Sequence, residues 1–319
     1  MTAHVPRDAL SARTDAVPTA RLRRHHWLAT LSQAARTGRG AVGLGLAISI
    51  IALAAVGPLV APYSATQFVG LPFARPSAHF WFGTDTLGRD VLSRVLDGGW
   101  VLLIMAACAT AFGVIVGGAC GVSAAYLRGR VDAIIMRTVD VILAFPQLVF
   151  ALLLVSIAGP QLWLIVVAVG FSHAPQVARV LRSATLDVSE REFVKAVEMQ
   201  GVRPANLMIK EIVPNLIAPL MVEAGLRLTY SIVIMAGLSF LEFGQSPPAP
   251  NWGLMINENR IGLASNPWAV LVPALLIALL TIGTNTFTDA VAGVAIGVDR
   301  KPAEAALIDD VMPHAVDAP

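Results

Sequence analysis

The sequence predicts an all-α membrane protein with six transmembrane helices, on three observations. Hydrophobic residues make up 56% of the 319 residues and charged residues 14%, with a mean hydropathy of +0.69, far more apolar than a soluble domain. Charge-free runs long enough to cross a hydrocarbon core recur along the chain. Lys and Arg gather in alternate segments between those runs, 18 on one side against 4 on the other. The positive-inside bias then puts both termini in the cytoplasm.

Several function classes are excluded at this level. The net charge is +2 and the basic residues are spread along loops rather than gathered in a stripe, so no nucleic-acid partner is expected. Cys108 and Cys120 fall in one span, about 18 Å apart along a helix axis, too far to pair. No metal site is expected. The chain has no Walker lysine motif, HExxH, GxSxG or His/Cys cluster, so no catalytic residue is assigned and no ATP is hydrolysed here.

Taken in order, residues 1–39 hold seven Arg, only Asp8 and Asp15 as acids, and no sustained apolar face, which reads as a flexible cytoplasmic tail. The charge-free run 41–61 is the first span, since its charged leader is too long for a signal peptide. Pro62 to Gly99 turns polar and aromatic, with Phe73, Phe80, Trp81 and Phe82 suited to a membrane interface. In it, Thr84 or Asp85 is expected to cap a short helix, and Asp90 and Arg94 to pair at i,i+4 on its exposed face. The second span, Trp100 to Tyr126, carries Gly113, Gly117 and Gly121 at four-residue spacing, a stripe for close helix packing.

Residues 141–178 lack any charged side chain and are too long for one crossing, with Gly159 and Pro160 as the break. The third span starts near Val131, is kinked at Pro146, and has Arg137 and Asp140 paired at its end; the fourth ends near Arg182. His173 inside the fourth span reads either as a structural histidine or as a proton carrier. Leu216 to Leu241 is the fifth span and contains Glu223 and Arg227, an i,i+4 pair that either joins helices or lines a path through the membrane. The sixth runs from about Pro267 to Val291.

Residues 189–215 form the only long polar interruption among these runs. Ser189 with Glu192 reads as a capping box that opens a short helix, Gly201 as its left-handed terminus, and Pro204 as the first turn of a second helix. Phe193, Ala196, Val197 and Gln200 share one face, with Arg191, Lys195 and Glu198 toward another. Such an element suits docking.

Three strings carry a family resemblance. "KAVEMQG", nine residues and then "EIVP" resembles the EAA motif of permease subunits of bacterial ABC importers, with Lys195 where the motif has Glu and Val197 at its second Ala. "FGTDTLGRDVLSRVLDGG" (82–99) closely resembles the signature of C-type permeases of dipeptide, oligopeptide and nickel importers, with Trp100 where a basic residue is common. "GLSFLEFGQSPPAPNWGLM" (237–255) resembles a third family segment, with Glu242 in place of Gly. The family's usual ending is kept only in part, as Asp289 and "GVDRK".

The resemblance implies the type I ABC importer permease fold: a tail over 1–39, the first span with an outer interfacial segment over 40–99, a five-helix core over 100–295 holding the coupling loop 189–215, and a cytoplasmic tail over 296–319. It implies a multi-pass protein of the bacterial cytoplasmic (inner) membrane. The implied partners are a second homologous permease as a heterodimer, two ATP-binding subunits that carry ATP and Mg, and an extracytoplasmic substrate-binding protein. Phe193, Lys195, Ala196, Val197, Gly201 and Pro214 are the implied ATPase-coupling residues. Gly83, Thr84, Asp85, Gly88, Arg89, Asp90, Ser93 and Arg94 form the outer signature, read as substrate handover or as a helix leading into the second span. Glu223 and Arg227 are candidates for the substrate path. Peptide import is the expected function, with nickel or another small solute, or a proton-coupled secondary transporter using His173, Glu223 or Asp140, as alternatives. The absence of internal repeats speaks against the last.

Overall fold

The computed structural model describes residues 26–159 and 161–297. They form helices α1 (His26–Arg36), α2 (Gly38–Val60), α3 (Val91–Asp97), α4 (Trp100–Leu127), α5 (Gly129–Leu143), α6 (Gln147–Ala158), α7 (Leu162–Ser189), α8 (Glu192–Met199), α9 (Pro204–Leu207), α10 (Ile217–Phe240), α11 (Trp252–Asn259) and α12 (Trp268–Ile296). Among the described residues the only β pairing is two isolated bridges, Phe68 with Arg89 and Thr84 with Asp90. The chain is all-α and built to lie in a membrane.

Among the described residues five stretches are long and apolar enough to cross a bilayer: α2, α3 running on into α4, α7, α10 and α12. A sixth exists only if α5 and α6 count together, because they meet at 92°. The expected kink at Pro146 is therefore a break. Pro146 has no N–H to continue the ladder and disfavours helical torsions at Phe145, whose own N–H turns back to Ile142. At the other predicted break Gly159 adopts φ +98°. Helix α7 continues seven residues past Arg182 to Ser189.

The core of the bundle is the α4–α7 seam. A Cβ at Gly113 would lie 2.7 Å from Gly170 O, at Gly117 2.4 Å from Ala174 O, and at Gly121 2.4 Å from Ala178 O. The glycine stripe lets the two backbones touch, which matters in lipid because packing rather than hydrophobic exclusion drives association. Helix α10 packs on this seam, α12 packs on α10, and α2 lies on α12 through Gly43 and Gly283.

The segment 26–36 departs from the expected flexible tail. It is a helix whose Ala34 is sealed against Ala290 and Val291 of α12, with Leu31 beside it. Leu31 and Ala34 are one apolar pair at i,i+3, too short a stripe to stand out in an Arg-rich segment. Thr37 then caps α2, accepting from Gly40 N at 3.1 Å. Residues 1–25 and 298–319, which hold the rest of both predicted tails and most of "GVDRK", lie outside the described residues.

Candidate functional site

At one end of the bundle, the segment between α2 and α4 folds over α11 through buried charge. Asp85, fully buried, accepts from Arg89 Nε at 2.7 Å and Arg94 Nη1 at 2.5 Å through Oδ2, and from the Leu87 and Arg89 amides at 2.9 Å through Oδ1. Glu258 of α11 completes the cluster, 2.7 Å from Arg94 Nη1 and 3.2 Å from Arg89 Nη2. Neutral bonds reinforce it: Thr86 N to Asn259 Oδ1 (2.9 Å), Asn266 Nδ2 to the carbonyls of Phe82 (2.8 Å) and Thr84 (3.0 Å), and Trp252 Nε1 to Val95 O (2.8 Å). Thr84 Oγ1 donates to Leu71 O and accepts from Ala74 N.

Two expectations about this segment are corrected. The cap of α3 is Asp90, not Thr84 or Asp85: its Oδ2 accepts from Ser93 N at 2.8 Å and from Ser93 Oγ at 2.6 Å. Arg94 does not pair with Asp90 on an exposed face; it is fully buried against Asp85 and Glu258. Spacing along a helix located i,i+4 neighbours, but the loop before α3 folds back and delivers a closer carboxylate. Gly83 and Gly88 take φ +71° and +75° in that fold-back. All eight signature residues thus belong to one packed unit.

In mid-bundle a chain of polar side chains links the four helices α4, α6, α7 and α10. Gln147, the first residue of α6, places Nε2 within 2.9 Å of His173 Nδ1, 3.2 Å of Ser172 O and 3.3 Å of Gln176 Oε1. His173 Nε2 faces Ser231 Oγ of α10 at 3.0 Å, and Thr110 Oγ1 of α4 donates to the same hydroxyl at 3.0 Å. From Gln176 the chain passes to Arg227 Nη1, and Arg227 Nε stands 3.2 Å from Glu223 Oε2, an ion contact outside hydrogen-bond alignment. The Arg227 guanidinium also lies 5.3 Å over the Tyr230 ring. Thr229 Oγ1 reaches Thr284 of α12 at 3.3 Å. Beside Gln147 and Gln176, at the α5–α6 break, is a cavity of about 250 Å³ that Phe145, Phe150 and Ser172 also line.

His173 therefore has partners on both ring nitrogens, supplied by helices distant in sequence. Gln147, Gln176 and Ser231 were not singled out from the sequence. The available signal was a Gln or His standing alone within an apolar run, which is costly unless hydrogen bonded.

At the opposite end, α5 is tied to α7 by Arg182, whose Nε and Nη2 each reach Asp132 at 2.6 Å, and by Arg179 to Asp140 at 2.7 Å. The expected partner of Asp140 was Arg137. Helix α7 instead runs antiparallel to α5 and presents Arg179 across the gap, which no spacing within one helix reveals.

The segment after α7 is the predicted helix, tight turn and helix. Gly201 has φ +74° and its N–H bonds Glu198 O at 3.0 Å; Pro204 opens α9. The capping box does not form. Ser189 is the last residue of α7 and its hydroxyl donates back to Leu186 O at 2.9 Å, while Arg191 precedes α8 with no side-chain cap. The predicted face also divides. Val194 is buried and Val197 packs inward with it on Val122, Leu181, Val188 and Leu207, whereas Phe193, Lys195, Ala196 and Gln200 are exposed. Met199 (83% exposed) and Ile209 (66%) add to the outward apolar surface. Pro214 sits exposed in the 3-10 turn Val213–Asn215, after a π turn over Met208–Ile212.

Among the described residues no group of three or more His, Cys, Asp or Glu is placed to hold a metal ion. The arrangement is that of a membrane bundle with one charged cap, one buried polar chain and one projecting polar loop.

Comparison with known proteins agrees with this architecture. Residues 109–293 match the family described as binding-protein-dependent transport system inner membrane component. The chain is 34% identical over 268 residues to a dipeptide transport system permease protein of Alkalihalophilus pseudofirmus, covering 82% of this chain and 87% of the relative. It is 33% identical over 252 residues to a glutathione transport system permease protein of Pectobacterium atrosepticum, covering 78% and 84%. A glutathione transport system permease protein of Escherichia coli is 33% identical over 244 residues, covering 76% and 80%. With more than half of its length matched by the family and relatives similar across most of it, the chain belongs to the inner-membrane permease components of binding-protein-dependent transport systems.

Proposed function

We propose that this permease carries short peptides across the bacterial cytoplasmic membrane as half of an ATP-driven importer. The observation that carries the cargo is that relatives similar over three quarters or more of the chain are named for dipeptide and glutathione transport. The chain supplies the passage, and two separate ATPase subunits supply ATP, Mg and the motion. A second, homologous permease completes the passage as a heterodimer, and an extracytoplasmic binding protein delivers the peptide.

The 189–215 loop is the ATPase-docking element of this proposal. Its support is the outward apolar surface of Phe193 and Met199 on a loop otherwise rich in charge, the pattern of a helix that enters a cleft. The excess of 18 basic residues to 4 supports placing that loop in the cytoplasm and the 82–99 signature outside. Glu223 and Arg227 are assigned to the passage on their depth in the bundle and their link to the cavity through Gln176.

The test is uptake of labelled di- and tripeptides into vesicles holding the reconstituted complex with its binding protein. ATP-dependent peptide accumulation is the expected result. Uptake of nickel or another small solute without peptide uptake would assign a different cargo. Orientation is checked on intact cells with an impermeant thiol reagent: Arg75→Cys and Ala249→Cys label, and Asp15→Cys and Ala205→Cys do not.

A further inference from the structure

Where α2 ends, a cavity of about 510 Å³ opens between that helix and α3, lined by Val60, Tyr63, His79, Trp81, Asp90 and Leu96 among others. Asp90 is 2% exposed, and only its Oδ2 is used in capping α3; Oδ1 has no hydrogen-bond partner among the described residues. Orphan donors also occur nearby, on Arg89 and Arg94, but those residues do not line the cavity. The neighbouring ion cluster is balanced, Asp85 and Glu258 against Arg89 and Arg94, and Asp90 takes part in no ion pair among the described residues. A buried carboxylate oxygen without a donor and without a cation of its own, beside the rings of Tyr63 and Trp81, has the chemistry of an ammonium site.

The position of the cavity selects the carrier of that ammonium. Helix α2 is at the rim of the bundle, and its last turn exposes Leu59 by 85% and Val60 by 61%. Trp81, 70% exposed, stands at the same level, as aromatic side chains do at a headgroup layer. We infer that the cavity binds the primary-ammonium headgroup of a phospholipid, phosphatidylethanolamine, with the ammonium on Asp90, the Tyr63 and Trp81 rings around it, and the acyl chains against the end of α2. His79 has a ring N–H to offer the phosphate. The site is separate from the proposed cargo passage, and it holds whichever face of the membrane this end occupies.

The test uses the complete complex in discs of equal phosphatidylethanolamine, phosphatidylcholine and phosphatidylglycerol, released and weighed by native mass spectrometry. Wild type should retain phosphatidylethanolamine over phosphatidylcholine, whose quaternary head cannot donate, by about tenfold, the ratio expected of one charge-assisted hydrogen bond. Asp90→Asn keeps an amide oxygen for the Ser93 N–H, so the cap and the thermal midpoint should survive while the preference falls to parity. Retention of all three lipids alike by wild type, or an undiminished preference in Asp90→Asn, overturns the inference. So does carbodiimide coupling of Asp90 to a lysine of another subunit or to a peptide amino terminus instead of to the lipid amine. Peptide uptake in the same discs reports on the transport function separately.

Discussion

Arg94 Nη1 lies 2.5 Å from Asp85 Oδ2, with both side chains fully buried at the end of the bundle where 62–99 closes over α11. They stand nine positions apart in the chain, and Glu258 reaches the same nitrogen from 164 positions away. Removing one member leaves the others charged and dry. Arg94→Met or Asp85→Asn should therefore cost about 3–5 kcal/mol, as breaking a buried pair does. The check is the unfolding midpoint of the purified complex. A loss no larger than that of an exposed pair, such as Arg179 with Asp140, would mean the cluster is wet.

The glycine stripe gives a graded test within two neighbouring positions. Gly117→Ala would put Cβ 2.4 Å from Ala174 O, and backbone cannot yield cheaply. Gly118→Ala meets nothing closer than Leu220 Cδ2 at 3.8 Å. The first substitution should lower stability by about 1–3 kcal/mol and the second by less than about 0.5 kcal/mol. Thermal melts of the two variants compare them directly.

Glu242 occupies a place where the resembling segment has Gly, and its φ of +66° shows what that position demands. Its carboxylate accepts from Asn257 Nδ2 at 3.0 Å, which offsets part of the strain. Glu242→Gly should stay within about 1 kcal/mol of wild type, losing a hydrogen bond and gaining a relaxed backbone. Glu242→Val loses the bond and keeps the strain, so it should fall clearly below Glu242→Gly in melting temperature.

The span-forming runs, the Gly113–Gly121 stripe, the left-handed Gly201 and the Pro204 start were legible because each is a local property of composition or torsion. The partners of Arg94, Asp140 and His173 were not, since in every case the nearest partner comes from another element: Asp85 by a fold-back, Arg179 from an antiparallel helix, Gln147 and Ser231 from α6 and α10. Periodicity reads neighbours along one helix and is blind across two. The capping box failed for a related reason, since α7 gains stability by packing along α4 and carries its last turn through Ser189. Pro146 was located correctly, but its 92° consequence depends on Gln147 being held to α7 after the break.

Glu223 and Arg227 were expected as a pair, and the pair is joined to Gln176 and through it to Gln147 and the mid-bundle cavity. Single removal of either charge should destabilise the bundle by several kcal/mol, because the remaining ion sits in a low-dielectric surround. Glu223→Gln with Arg227→Met removes both ions, so the complex should assemble. If the pair serves the passage, uptake of peptides with free termini should fall relative to blocked peptides. Unchanged uptake of every peptide by the double variant would make the pair a helix tie only.

The loop prediction follows from how α8 divides its apolar side chains. Val197 faces the core formed by Val122, Leu181 and Leu207, so Val197→Asp should loosen the loop in the permease itself and be seen as faster proteolysis near residue 200. Met199 is 83% exposed and Phe193 38%, so Met199→Asp should leave stability unchanged and Phe193→Asp lower it by about 1 kcal/mol, while each weakens ATPase-subunit association by about tenfold or more, the loss of one apolar anchor. Gly201→Val has open space around its Cβ, so its penalty is torsional: about 1 kcal/mol or more at φ +74°, relieved by redirecting α9. That variant should bind the ATPase subunits weakly and stimulate little hydrolysis at matched subunit content. The order expected in pull-down and ATPase assays is wild type above Gly201→Val, with Phe193→Asp lowest among stably folded variants. If Phe193→Asp and Met199→Asp both bind as wild type does, the outward face of α8 is not where the ATPase docks.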